Sequence, residues 1–168
     1  MRKRVNKLAG YTLMEAMVVL AIVSILITMA APSFRGTIAD SQLSSAAEGL
    51  FSLVRYARAE AARQGSTVLV GAADGVNWGN GAIAWVEGDN VAGFDPANDT
   101  LIRRLYVKGK VKIVDAISNS KIIQFNGQGY TPTAVRFEFC DGRPDEQGRT
   151  INILVSGFSV MSVKEDCL

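Results

Sequence analysis

Between Leu13 and Ala31 the chain runs for nineteen residues with a single charge, Glu15. That length and polarity read as a membrane span, since a bilayer-crossing helix needs about 20 apolar residues. Pro32 follows, where a helix is expected to kink or lose one backbone hydrogen bond. The pattern then becomes amphipathic. Leu43, Ala46, Ala47, Leu50, Leu53, Val54, Ala57 and Ala61 fall on one helical stripe, with Asp40, Glu48, Arg55, Arg58 and Arg63 off it. Gln64-Gly65 marks the expected stop, glycine being favoured just past a helix end. From Ser66 the signal changes to short runs rich in Val, Ile and aromatics, punctuated by Gly, Asn and Asp. Strands are expected at 66–71, 82–87, 101–107, 110–115, 121–125, 134–139, 150–155 and 158–163, with turns at 126–129 and around Ser156-Gly157. The fold class is therefore α+β: a long amino-terminal helix and one antiparallel β head.

Charge gives this layout a direction. Arg2, Lys3, Arg4 and Lys7 precede the apolar run, and no further Lys or Arg occurs before Arg35. A basic flank holds the amino end in the cytoplasm, so the head is expected outside it. A cleaved secretory signal fits less well. The apolar run exceeds the usual 7 to 15 residues of such signals, and Met29-Ala30-Ala31 before Pro32 is a poor cleavage site. A plain anchor leaves Glu15 unexplained, because a carboxylate within a span is costly and normally has a partner.

The stretch Gly10-Tyr11-Thr12-Leu13-Met14-Glu15, behind its basic leader, resembles the leader junction of type IV pilins and pseudopilins. The resemblance implies cleavage by a membrane-embedded prepilin peptidase between Gly10 and Tyr11, N-methylation of Tyr11, and a filament-assembly role for Glu15. In that family the carboxylate is thought to pair with the new α-amine of a neighbouring subunit, two groups that are each costly in an apolar filament core. Tyr11 replaces the commoner phenylalanine. RYARAEAARQGSTVLVG, Trp78-Gly79-Asn80-Gly81, ANDTLIRR, IIQFNGQG and FEFCDGRPDEQGRTINILVSG extend the likeness to the FimT/FimU/GspH group of minor pilins and pseudopilins. The expected organisation is a leader at 1–10, a transmembrane or filament-core half-helix at 11–34, an amphipathic half at 35–64 and a β-rich head at 65–168. The implied protein is a minor pilin in the priming or tip complex of a pilus, supporting pilus assembly and twitching motility. Its implied partners are major and minor pilins, the prepilin peptidase and the inner-membrane assembly platform. It would reside in the bacterial inner membrane, head in the periplasm, before entering a filament. The alternatives are a GspH-type pseudopilin of type II secretion and a FimT-like DNA receptor.

Cys140 and Cys167 enclose 26 residues in a head expected where disulfides persist. A bridge matches the carboxy-terminal disulfide loop of type IV pilins; two separate thiols are the alternative. VKGKVKIV reads as a strand with Lys108, Lys110 and Lys112 on one face, and with Arg103 and Arg104 it forms a candidate basic patch for DNA or a partner. A solvated edge strand explains the lysines equally simply. Transformation receptors of the group carry GRxR near the carboxy end, where this chain reads Gly157-Phe158-Ser159-Val160. Outside the first ten residues fourteen basic side chains face sixteen acidic ones, a poor footprint for nucleic acid. GDNVAGFDPANDT gathers Asp89, Asp95 and Asp99 without EF-hand spacing, which reads as a polar loop and not a calcium site. With no histidine, P-loop or GxSxG elbow, no enzyme activity, cofactor or metal is expected.

Overall fold

The computed structural model describes residues 11–89, 93–143, 146–165 and 167, without the side chains of 29–33. The elements are α1 (Leu13–Gln64), β1 (Val68–Ala72), a 3-10 turn (Trp78–Asn80), β2 (Ala82–Val86), β3 (Thr100–Leu105), β4 (Lys112–Asp115), β5 (Ile122–Phe125), β6 (Val135–Cys140), β7 (Gly148–Ile153) and β8 (Ser159–Lys164). All eight expected strands are present. The chain forms two compact units, divided between Ile38 and Ala39.

In the first unit α1 starts at a cap. Thr12 Oγ1 accepts a hydrogen bond from the Glu15 amide at 3.2 Å, satisfying one of the amides that a helix start leaves without a partner. α1 continues through Pro32, whose side chain lies outside the described residues. Among the described residues no helix is long and apolar enough to cross a membrane; the expected span ends among the undescribed side chains of 29–33.

In the second unit the amphipathic stripe is realised residue for residue: Leu43, Ala46, Ala47, Leu50, Leu53, Val54, Ala57 and Ala61 are all buried. α1 ends at Gln64, and Gly65 takes a left-handed φ of 63°, which glycine adopts without a Cβ clash. The head is not one sheet but two, each antiparallel and four-stranded, in the orders β3-β2-β1-β5 and β4-β6-β7-β8. Their inner faces share one core with α1. Val68, Val70, Ala84, Ile123 and Phe125 come from the first sheet, and Ile113, Val135, Phe137, Phe139 and Ile151 from the second. The helix contributes small side chains to this core, Ala46, Ala47, Ala57 and Ala61, beside Leu43, Leu50, Leu53 and Val54.

β1 is buried along its whole length, because its outer face is covered too. There Leu69, Ile83 and Trp85 form a second, smaller cluster with Ala73, Phe94 and Ile122. A strand buried on both faces loses polar alternation, which is why VLVGA reads as a continuous run.

Candidate assembly segment and head surface

From Tyr11 to Thr28 every described side chain is exposed within the chain, including Leu13, Met14, Met17, Leu20, Ile22, Ile25, Leu26 and Ile27. A helix that is apolar all round belongs in lipid or among other helices. The polar side chains conform: Ser24 Oγ donates to Ala21 O at 2.8 Å and Thr28 Oγ1 to Ile25 O at 2.7 Å, so both hydroxyls return to their own backbone. Glu15 is the exception. It lies in the first turn of α1, where a carboxylate favours the positive end of the helix dipole, yet among the described residues its side chain has no hydrogen-bond partner. Tyr11 is exposed just ahead of the cap, and Gly10 lies outside the described residues. The Thr-x-x-Glu spacing of a helix cap was readable in Thr12-Leu13-Met14-Glu15 and accounts for the helix start, though not for the unpartnered carboxylate.

On the head, Cys140 and Cys167 form a disulfide with their Cα atoms 5.7 Å apart. The bridge ties the end of β6 to the chain beyond β8 across the start of β7. Gly148 makes this crossing possible: a Cβ there would lie 2.4 Å from Cys167 Sγ and 2.6 Å from Phe139 O. Beside the bridge, the buried Glu146 carboxylate accepts the amides of Asp141 at 2.6 Å and Gly142 at 2.9 Å. Arg143 joins Asp141 at 2.7 Å and Asp40 of α1 at 2.6 Å. Burial, and then the neighbouring Asp141, hold the Glu146 pKa above its ordinary value. Burial also acts against the Asp141 carboxylate, but hydrogen bonds from Glu146 and Arg143 outweigh it and hold its pKa low. Of the two carboxyls, Glu146 is therefore the one that keeps its proton to higher pH.

The candidate basic patch is dispersed. Lys108 and Lys110 flank a turn and are not part of a strand, because β4 begins only at Lys112. Gly109 makes that turn with φ of 85°, and any Cβ there would lie 2.1 Å from Gln42 Oε1 on α1. Arg103 and Arg104 occupy opposite faces of β3. The Arg103 guanidinium lies 5.4 Å from the Tyr56 ring centroid on α1, whereas Arg104 lines a cavity with Ile83 and Trp85. At the place of the missing GRxR motif, Gly157 turns with φ of 74°. Arg58, expected merely off the core stripe, is half-buried and clamps two turns there, donating to Gly129 O at 3.0 Å and Ser156 O at 3.1 Å.

The acidic loop is organised by its own backbone. Asp99 is buried and accepts the amides of Gly88 at 3.0 Å and Asp95 at 2.8 Å, while Asn98 bridges Asp89 and Asp95. These are loop-closing roles for aspartate and asparagine.

The family model of the type II transport protein GspH matches residues 46–157, and that of the prokaryotic N-terminal methylation motif matches residues 6–31. No curated protein sequence matches the chain. Two crystal structures of the type IV minor pilin FimU from Pseudomonas aeruginosa, in space groups P21 and P65, are similar in fold at 24% identity. The first has a TM-score of 0.62 over 76% of this chain and 96% of that one; the second has 0.60 over 75% and 100%.

Proposed function

Because the chain belongs to the GspH family, the group of FimT/FimU-like minor pilins and pseudopilins, and carries the N-terminal methylation motif, we propose that it acts as a minor pilin in the priming or tip complex of a type IV pilus. Members of this family are structural pilins and not enzymes, so the activity is assembly. The observation that carries the reading is the first half of α1: apolar on every side, opened by a threonine cap, with one unpartnered carboxylate in its first turn.

In this reading the prepilin peptidase cuts between Gly10 and Tyr11 on the cytoplasmic side and the new Tyr11 amine is methylated. The chain waits in the inner membrane with its head in the periplasm. Glu15 then accepts the α-amine of a neighbouring pilin. In an apolar filament core the two charges neutralise each other, and a neighbour in the wrong register would leave both unpaired, which is strongly unfavourable. Glu15 thus selects register. Other major and minor pilins and the assembly platform are the partners, and twitching motility follows from the filament.

The description of the matching family model favours a second reading, a pseudopilin of type II secretion. One experiment separates the two. Surface pili are counted by electron microscopy in a deletion strain unable to retract them, with a complemented control, and exoprotein release is assayed in parallel. Few or no pili with normal secretion is the expected result; normal pili with lost secretion would replace the pilus reading with the secretion one.

A further inference from the structure

On the outer face of the first sheet lies a cavity of about 480 Å³, walled by Ile83 and Trp85 of β2, Ile122 of β5 and Phe94 from the loop before β3. Phe94 meets Trp85 edge-on with ring centroids 5.9 Å apart. Two cations stand at this cavity, Arg104 and Lys121, both exposed, and neither forms an ion pair among the described residues. One carboxylate, Asp74, also lines it, but its oxygens are engaged within its own turn. They accept the amides of Val76 at 2.9 Å and Asn77 at 2.7 Å and the Asn80 side chain at 2.7 Å. Those bonds hold Asp74 ionised, and two cations against one carboxylate leave the cavity net positive.

The two tryptophans of the chain differ at their indole nitrogens. Trp78 is buried and donates to Ser120 O at 3.1 Å. Trp85 is equally buried, 1% exposed, and among the described residues its Nε1 has no hydrogen-bond partner. Uncommitted guanidinium and ammonium groups beside an aromatic and aliphatic wall supply charge attraction and apolar burial to the same ligand.

We propose that this cavity binds a small organic carboxylate, its charged end between Arg104 and Lys121 and its apolar body against Phe94, Trp85, Ile83 and Ile122. The site lies on the sheet face opposite the one that packs on the α1 core, so it is separate from the helix-borne assembly role and independent of whether the filament is a pilus or a pseudopilus.

The full chain in detergent micelles, labelled with nitrogen-15 at tryptophan, gives two indole signals that Trp85→Phe assigns. Phenylacetate is titrated as the probe, with phenethylamine and inorganic phosphate as comparisons. The expected result is a saturable shift of the Trp85 signal with phenylacetate, while the Trp78 signal, already bonded to Ser120 O, stays nearly fixed. Arg104→Gln with Lys121→Gln should weaken that binding by about tenfold or more, and Lys121→Gln alone by less in the same direction. No saturable shift, an equal response to phenethylamine, or undiminished binding by the double variant would overturn the proposal. Phosphate binding as tightly as phenylacetate would overturn the apolar-body assignment.

Discussion

Leu13–Thr28 and Leu43–Ala61 belong to the same helix, yet the first segment exposes apolar side chains on every side and the second buries one clean stripe. The second segment finds its apolar partner inside the chain, in the two sheets of the head. The first finds none there, and its medium must come from outside. Substitutions in the two segments should therefore report on different events: in the head on folding, in the amino-terminal segment on assembly.

The largest test of that division is Phe137→Ala. Phe137 is fully buried and meets Trp78 edge-on with centroids 4.8 Å apart. Truncation should cost about 3–5 kcal/mol, read as a lower urea midpoint by near-UV circular dichroism of the full chain in detergent. Membrane insertion, followed by carbonate extraction, should be unchanged. A cost below about 1 kcal/mol would mean that the core does not close as described. Next comes the disulfide. Replacing Cys140 and Cys167 by serine should lower head stability by about 3–4 kcal/mol, since a 27-residue separation constrains the unfolded chain substantially. Equal stability of the reduced and oxidised proteins in the same assay would assign the bridge no stabilising part.

Glu15→Ala tests the other side. Head stability and cleavage at Gly10 should match the parent protein, while the fraction recovered in sheared filaments should fall at least about tenfold, roughly 1.4 kcal/mol of assembly free energy. Immunoblots of filament and membrane fractions measure it. Normal incorporation would remove Glu15 from the assembly mechanism; an altered head would erase the division between the segments.

Local patterns in the sequence were enough to locate α1, its buried stripe, its glycine stop and eight strands, because these depend on side-chain period and on turn residues. The division of those strands between two sheets was not legible, since alternation states which way a side chain points and not which strand lies beside it. VKGKVKIV shows a related limit. Its alternation is regular, but Gly109 takes a left-handed φ and bends the chain, so the strand starts only at Lys112. Arg58 illustrates the converse. On a helical wheel it is an exposed cation, and only the meeting of the Gly129 and Ser156 turns gives its guanidinium two carbonyls. The burial of Glu146 and of the Trp85 indole was equally out of reach, because burial of a polar group follows from long-range packing.

The smallest effect separates the disulfide from the loop it anchors. Burial raises the Glu146 pKa, so ionising that group opposes folding, and the stability it confers when protonated is lost as pH rises through its elevated value. Asp141 acts with the opposite sign. Its depressed pKa contributes stability above the ordinary aspartate value, lost as pH falls through the lowered one. Between those two values Asp141 is ionised, Glu146 is protonated, and the pair is most stable. Glu146→Gln keeps a neutral side chain at all pH. It should therefore flatten the gain that the parent protein shows as pH falls through the raised Glu146 value. Solvent access to Arg143 screens the interaction and keeps the difference below about 1 kcal/mol. Thermal midpoints of the two proteins across that range supply the comparison. Parallel pH profiles would mean that the loop is held by the bridge and Arg143 alone, with the buried carboxylate adding no pH dependence to the head.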